Sequence, residues 1–205
     1  VEAADSLKVR KKQLVAGFQA VAYRGSLQDS YLRWTPAYQF GLRFEKKKQI
    51  NGMLSVSFGK FIGENILYKL PASADPSLLP VNRFTTRFFS LHYEAQLLLF
   101  SYHGFKLYAS QGIGIYRFTV SDNNGTNLRD RDRTRAKGED YRELTLCLPT
   151  QLGFRYTFSN RLAVGIQAGW TNVQSRYLDN MDQLSDNQTR DNMAQWRFQV
   201  YYPLK

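Results

Sequence analysis

Two histidines bound the acid–base chemistry open to this chain of 205 residues, His92 and His103. His92 lies two residues from Ser90 and two from Glu94. In an extended strand that spacing places all three side chains on one face. Ser, His and Glu are the residue types of a hydrolytic relay, in which the imidazole takes a hydroxyl proton and the carboxylate orients the ring. Same-face neighbours on one strand seldom reach that geometry, however. The other reading is a buried polar network, whose charges pair because an unpaired buried charge is costly. Its expected members are Arg43, Glu45, His92, Glu94, Gln151, Arg155, Gln167, Arg197 and Gln199. His103 falls in a short turn and reads as solvated.

Other chemistry is poorly supported. Asp179, Asp182, Asp186 and Asp191 share one loop, but without the fixed short spacing and glycine turn of a calcium loop. Asp122-Asn123-Asn124-Gly125 is no stronger. The run Arg129 to Arg133 alternates Arg and Asp, the pattern of a self-paired solvated loop. Cys147 is the single cysteine, so no disulfide forms within the chain, and its place inside a strand reads as a buried thiol. The glycines alternate along strands and build no phosphate loop. No metal or cofactor is expected. The net charge of +11 sits mainly in turns and loops rather than on one face, which disfavours nucleic acid and suits anionic lipid or an acidic partner.

The elements that carry these residues are strands. From 144 to 158, Leu144, Leu146, Leu148, Leu152, Phe154, Tyr156 and Phe158 share one parity, with Thr145, Cys147, Gln151, Gly153, Arg155 and Thr157 on the other. The same alternation predicts eight strands, near 14–24, 36–45, 52–61, 87–100, 105–118, 144–158, 162–173 and 193–202. Residues 1–12 read as a flexible polar arm, and 13–205 as one barrel. The connections run long, short, long, short, long, short, long, so an up-and-down meander puts all long loops at one end.

No stretch of about 18 apolar residues exists for a transmembrane helix, but a transmembrane strand needs only about 9–11 residues, half of them polar. Long loops at one end, short turns at the other and an even strand count are features of bacterial outer-membrane barrels. Tyr38, Phe44, Phe89, Phe100, Phe158, Trp170, Trp196 and Tyr202 near strand ends suit interfacial girdles. The expected fold is therefore all-β: an eight-stranded antiparallel up-and-down transmembrane β-barrel with short periplasmic turns and long extracellular loops, crossing the outer membrane many times and surrounded by its lipids. A soluble lipocalin-like binder would turn its large apolar residues inward instead. A wide pore is disfavoured, because side chains fill an eight-stranded interior.

Several stretches in order, Leu144 to Tyr156, Ser159 to Gly165, Gly169-Trp170-Thr171 and Tyr177-Leu178-Asp179-Asn180, resemble the PorG-like small outer-membrane barrels of Bacteroidota. Pro36 to Gly41, Arg87 to Ser90 and Gly112 to Ile115 agree more loosely. The resemblance implies a structural, non-enzymatic component of the type IX secretion system that links the outer membrane to a periplasmic ring of PorK lipoprotein and PorN. Asn180 departs from the family pattern, where a second Asp is usual. A ring-docking role would use the arm and the short turns, with Lys46, Lys47, Lys48, His103, Asn160 and Arg161 as candidate contacts. A lipid-modifying barrel enzyme is the alternative.

Overall fold

The computed structural model describes residues 11–45, 49–69, 72, 75–138, 141–180 and 191–204. Eight strands form: β1 (Lys11–Arg24), β2 (Trp34–Glu45), β3 (Ile50–Glu64), β4 (Arg83–Tyr102), β5 (Phe105–Ser121), β6 (Leu144–Thr157), β7 (Ala163–Val173) and β8 (Asn192–Pro203). Each pairs antiparallel with its sequence neighbour, and β1 pairs with β8 to close a barrel. Closure leaves no sheet edge, which matters in hydrocarbon, where an unpaired backbone group costs several kcal/mol. The barrel begins inside the expected arm, since Lys11 and Lys12 already pair with Glu45 and Phe44. The rest of that arm, residues 1–10, lies outside the described residues.

The apolar parity faces out. Leu97, Phe154 and Phe198 are 47%, 42% and 51% exposed, whereas Arg155 and Gln199 are 3% and 2% exposed. Left in water, each such Leu or Phe would forgo roughly 1.5–3 kcal/mol of burial. A belt of them around a closed wall is a surface built for hydrocarbon. This orientation excludes the lipocalin arrangement.

Several strands run further than the alternation suggests. β3 extends to Glu64, β4 starts at Arg83 and β5 ends at Ser121. Around these strand ends the polarity inverts. Phe61, Phe84, Phe88, Phe118 and Val120 point inward and are buried, while Lys60, Arg87 and Arg117 point outward and are exposed. The wall has left the hydrocarbon there and has the polarity of a soluble barrel.

Local chemistry fixes the details. The β4–β5 turn has His103 at φ 42° and Gly104 at φ 88°, the paired left-handed residues of a two-residue hairpin turn. The β5–β6 ladder skips Leu148 and Pro149, because Pro149 has no N–H to give. There Gln111 Nε2 donates to the Pro149 carbonyl at 3.2 Å.

Candidate functional site

At the short-turn end the lumen holds a basic cluster around one carboxylate. Arg43 Nε donates to Gln96 Oε1 at 3.0 Å, and Arg43 Nη1 and Arg155 Nη1 both donate to Gln13 Oε1, at 3.0 and 3.2 Å. Glu45 Oε1 lies 3.5 Å from Arg43 Nη1, 3.5 Å from Lys106 Nζ and 3.9 Å from Arg155 Nη2. The Arg155 guanidinium also stands over the Tyr201 ring, 5.3 Å from its centroid.

Deeper in the lumen, Arg197 Nη1 donates to Glu94 Oε1 at 2.5 Å and to Gln167 Oε1 at 3.3 Å. The chain of bonds continues. Gln167 Nε2 donates to Tyr108 Oη, which lies 3.2 Å from Tyr201 Oη. Tyr201 Oη donates to Gln199 Oε1, and Gln199 Nε2 donates to Gln39 Oε1. Eight of the nine predicted network residues therefore meet. Gln151 does not; it is buried, but its amide donates to the Trp170 carbonyl at 3.4 Å. Gln13, Gln39, Gln96, Lys106, Tyr108, Ser110 and Tyr201 are members that the sequence reading left out. Strand parity marks Gln39, Gln96 and Tyr201, which share a face with expected network residues, whereas Gln13, Lys106, Tyr108 and Ser110 stand on β1 and β5, where no network residue is expected.

The Ser90-His92-Glu94 series is not set up as a relay. Ser90 Oγ lies 3.5 Å from His92 Nδ1, at the limit of a hydrogen bond. His92 Nε2 approaches Glu94 Oε1 to 3.0 Å without hydrogen-bond geometry. Glu94 is committed to Arg197. The cavity bordered by Ser90, His92 and Arg197 measures about 10 Å³, room for one water and not for an acyl chain. Space for His92 comes from Gly114 opposite it, where a Cβ would lie 2.4 Å from His92 Cβ and 2.3 Å from the Leu91 carbonyl oxygen.

Above this network the lumen turns apolar. Tyr23, Phe61, Phe84, Phe88, Tyr116 and Phe118 pack together with Cys147, Leu128 and Leu178. Phe88 and Tyr116 stack at 5.3 Å, as do Tyr23 and Phe61. Cys147 is buried there, as its strand position implied.

A cap of loops closes the outer end. The segment Leu178-Asp179-Asn180 is fully buried, although it belongs to a loop rich in Asp and Asn. Asp179 Oδ2 accepts from Tyr23 Oη at 2.6 Å and from the Leu27 amide at 2.8 Å. Asp191 Oδ2 accepts from the Leu178 amide at 2.8 Å, and its Oδ1 lies 3.0 Å from Tyr23 Oη. These two carboxylates anchor loops to the wall. Asp182 and Asp186 lie outside the described residues.

Asn180 holds φ 65°, a left-handed conformation that Asn tolerates. Its amide works in both directions. Oδ1 accepts from Arg135 Nη1 at 2.9 Å and Nδ2 donates to Thr134 Oγ1 at 2.8 Å. An Asp there has no N–H to give Thr134 Oγ1. The Leu79 amide donates to the Arg133 carbonyl at 2.8 Å and ties in the β3–β4 loop.

Of the candidate docking residues, His103, Asn160 and Arg161 are exposed in two turns at the short-turn end. Asn160 Oδ1 accepts from the Leu162 amide and shapes its own turn, and Arg161 takes φ 69° there. Lys46, Lys47 and Lys48 lie outside the described residues.

An outward apolar belt, a closed eight-stranded wall and a filled lumen define the class: a small transmembrane β-barrel of the outer-membrane type. Solved structures agree in fold. Neisserial surface protein A is similar with TM-score 0.59 at 9% identity, covering 93% of this chain and 96% of that one. Ail, the attachment invasion locus protein of Yersinia pestis, solved with the heparin analogue sucrose octasulfate, is similar with TM-score 0.53 at 9% identity, covering 95% and 99%. No family model matches the chain, and no curated protein matches it in sequence.

Proposed function

We propose that this protein is a non-catalytic structural barrel of the bacterial outer membrane that works through its surfaces. The observation that carries this reading is the sealed lumen. Among the described residues, a charged network, an aromatic plug and a hydrogen-bonded loop cap follow one another along the axis, and the lumen cavity beside His92 measures about 10 Å³. Function then falls to the wall, the loops and the turns.

The finer reading is a component of a type IX secretion complex that fixes a periplasmic ring of PorK and PorN type to the outer membrane. Its support is the ordered resemblance from Leu144 through Asn180. Within that stretch, Leu178, Asp179 and Asn180 have distinct structural tasks. The periplasmic contacts are the turns bearing His103, Asn160 and Arg161, together with Lys46 to Lys48 and the N-terminal arm. Affinity purification of the tagged barrel from native membranes in mild detergent tests this. Recovery of ring lipoprotein and its partner supports the reading, and a barrel recovered alone contradicts it.

A further inference from the structure

We propose that Lys60, Arg87 and Arg117 form a site on the outer wall for the phosphomonoester of a glycolipid in the loop-side leaflet. The inference goes beyond ring docking and depends only on the barrel spanning the membrane. On three successive strands, the first outward residue beyond the apolar run at the loop end is a cation. Lys60 follows Phe58 on β3, Arg87 precedes Phe89 on β4, and Arg117 follows Ile115 on β5. All three are exposed, as are Phe58, Phe89 and Ile115 beneath them.

Register gathers the cations into one patch. Lys60 is the direct cross-strand partner of Arg87. Arg117 pairs with Phe89 and so stands diagonal to Arg87. Directly opposed side chains have Cβ atoms about 4.5–5.5 Å apart and diagonal ones about 7–8 Å apart, and like charges so placed repel. Among the described residues none of the three forms an ion pair. Nearby carboxylates are engaged elsewhere, Glu64 with Arg33, Asp122 with Arg131 and Glu143 with Arg129.

A like-charge pair left without a counter-ion calls for an anion from outside the chain. The position specifies its kind. The patch sits where the apolar belt ends, so a ligand there has acyl chains along Phe58, Phe89 and Ile115 and its headgroup level with the cations. Two guanidiniums and an ammonium match a compact dianionic phosphate, which Arg engages through paired N–H donors. At the other end of these strands, outward positions such as Ile50, Leu97, Leu99 and Phe105 carry no cation. The site is therefore specific to the loop-side leaflet, the outer one in an outer-membrane barrel.

The test is native mass spectrometry of the full chain in detergent, titrated with diphosphoryl lipid A, dephosphorylated lipid A or phosphatidylglycerol. The site predicts retention of diphosphoryl lipid A over both others. The triple variant Lys60→Gln/Arg87→Gln/Arg117→Gln weakens retention about 100-fold, since each cation near an anionic lipid surface contributes about fivefold. A control of equal charge change in the loops, Lys69→Gln/Arg133→Gln/Lys137→Gln, leaves retention unchanged. Heat-modifiable gel mobility establishes that both variants fold. Should the triple variant misfold, Arg117→Gln alone, which leaves the Lys60–Arg87 pair intact, is read instead and lowers retention about fivefold. Equal retention of the three lipids, or equal loss in the loop control, overturns the proposal.

Discussion

Arg197 on β8 and Glu94 on β4 meet across the full width of the lumen, 2.5 Å from Nη1 to Oε1. Their strands stand four apart in a ring of eight. This single contact ties opposite walls, and both side chains are essentially without solvent. Removing one partner of such a pair costs about 3–5 kcal/mol, because the other charge is stranded. Arg197→Ala and Glu94→Ala should each lower stability by that amount in urea unfolding from lipid vesicles. The double variant Glu94→Leu/Arg197→Met should regain most of the loss. Equal losses in the single and double variants would show that the stranded charge is not the cause.

The outer cap depends on Asp179, which receives the Leu27 amide and the Tyr23 hydroxyl. Asp179→Ala leaves the buried Leu27 amide unsatisfied, at about 1–3 kcal/mol, and leaves the Tyr23 hydroxyl with Asp191 as its remaining acceptor. The effect should stay local. Hydrogen exchange should accelerate at the Leu27 and Leu178 amides, while strand amides below the plug remain protected. Unchanged exchange at Leu27 would count against the cap.

Gly114 lets β5 lie close against β4 at His92. Gly114→Ala puts a Cβ within 2.3 Å of the Leu91 carbonyl and 2.4 Å of His92 Cβ, contacts that backbone must move to relieve. Overpacking of this kind costs about 1–3 kcal/mol. The double variant Gly114→Ala/His92→Gly, which removes the Cβ at 92, should recover only part of the loss, because the contacts with the Leu91 carbonyl and with the Cα at 92 persist. Unfolding midpoints of the two variants give the comparison.

The lumen should not conduct. In planar bilayers the purified barrel is expected to show no stepwise current. The account also predicts that His92→Ala leaves lipid composition and acyl-ester turnover unchanged, since no chamber lies beside Ser90 and His92. Steady single-channel openings would contradict the sealed axis.

How much of this was legible in the sequence follows from polarity. Wherever the wall meets hydrocarbon, alternation is strong, and Leu152, Phe154 and Tyr156 against Gln151, Gly153 and Arg155 gave strand, face and phase together. Beyond the belt the phase inverts. The β4 segment from Arg83 to Phe88 has its cations outside and its aromatics inside, so the outward apolar pattern that marks strands in hydrocarbon is missing there. The lumen network was largely readable, because parity alone decides which side chains face in. The cap was not. Leu178, Asp179 and Asn180 acquire their meaning from Tyr23, Leu27, Thr134 and Arg135, partners about 45–155 positions away that no local pattern reveals.

The direction of the apolar face is tested most directly by a spin-label scan along β6. With Cys147 replaced by Ala, single cysteines from Gln151 to Arg155 are labelled in reconstituted vesicles, and collision with oxygen and with a water-soluble relaxant is measured. Labels at 152 and 154 should collide freely with oxygen, and those at 151, 153 and 155 with neither agent, in strict alternation. Oxygen access at 151, 153 and 155, with the water-soluble agent reaching 152 and 154, would contradict a barrel that turns its apolar face to the membrane.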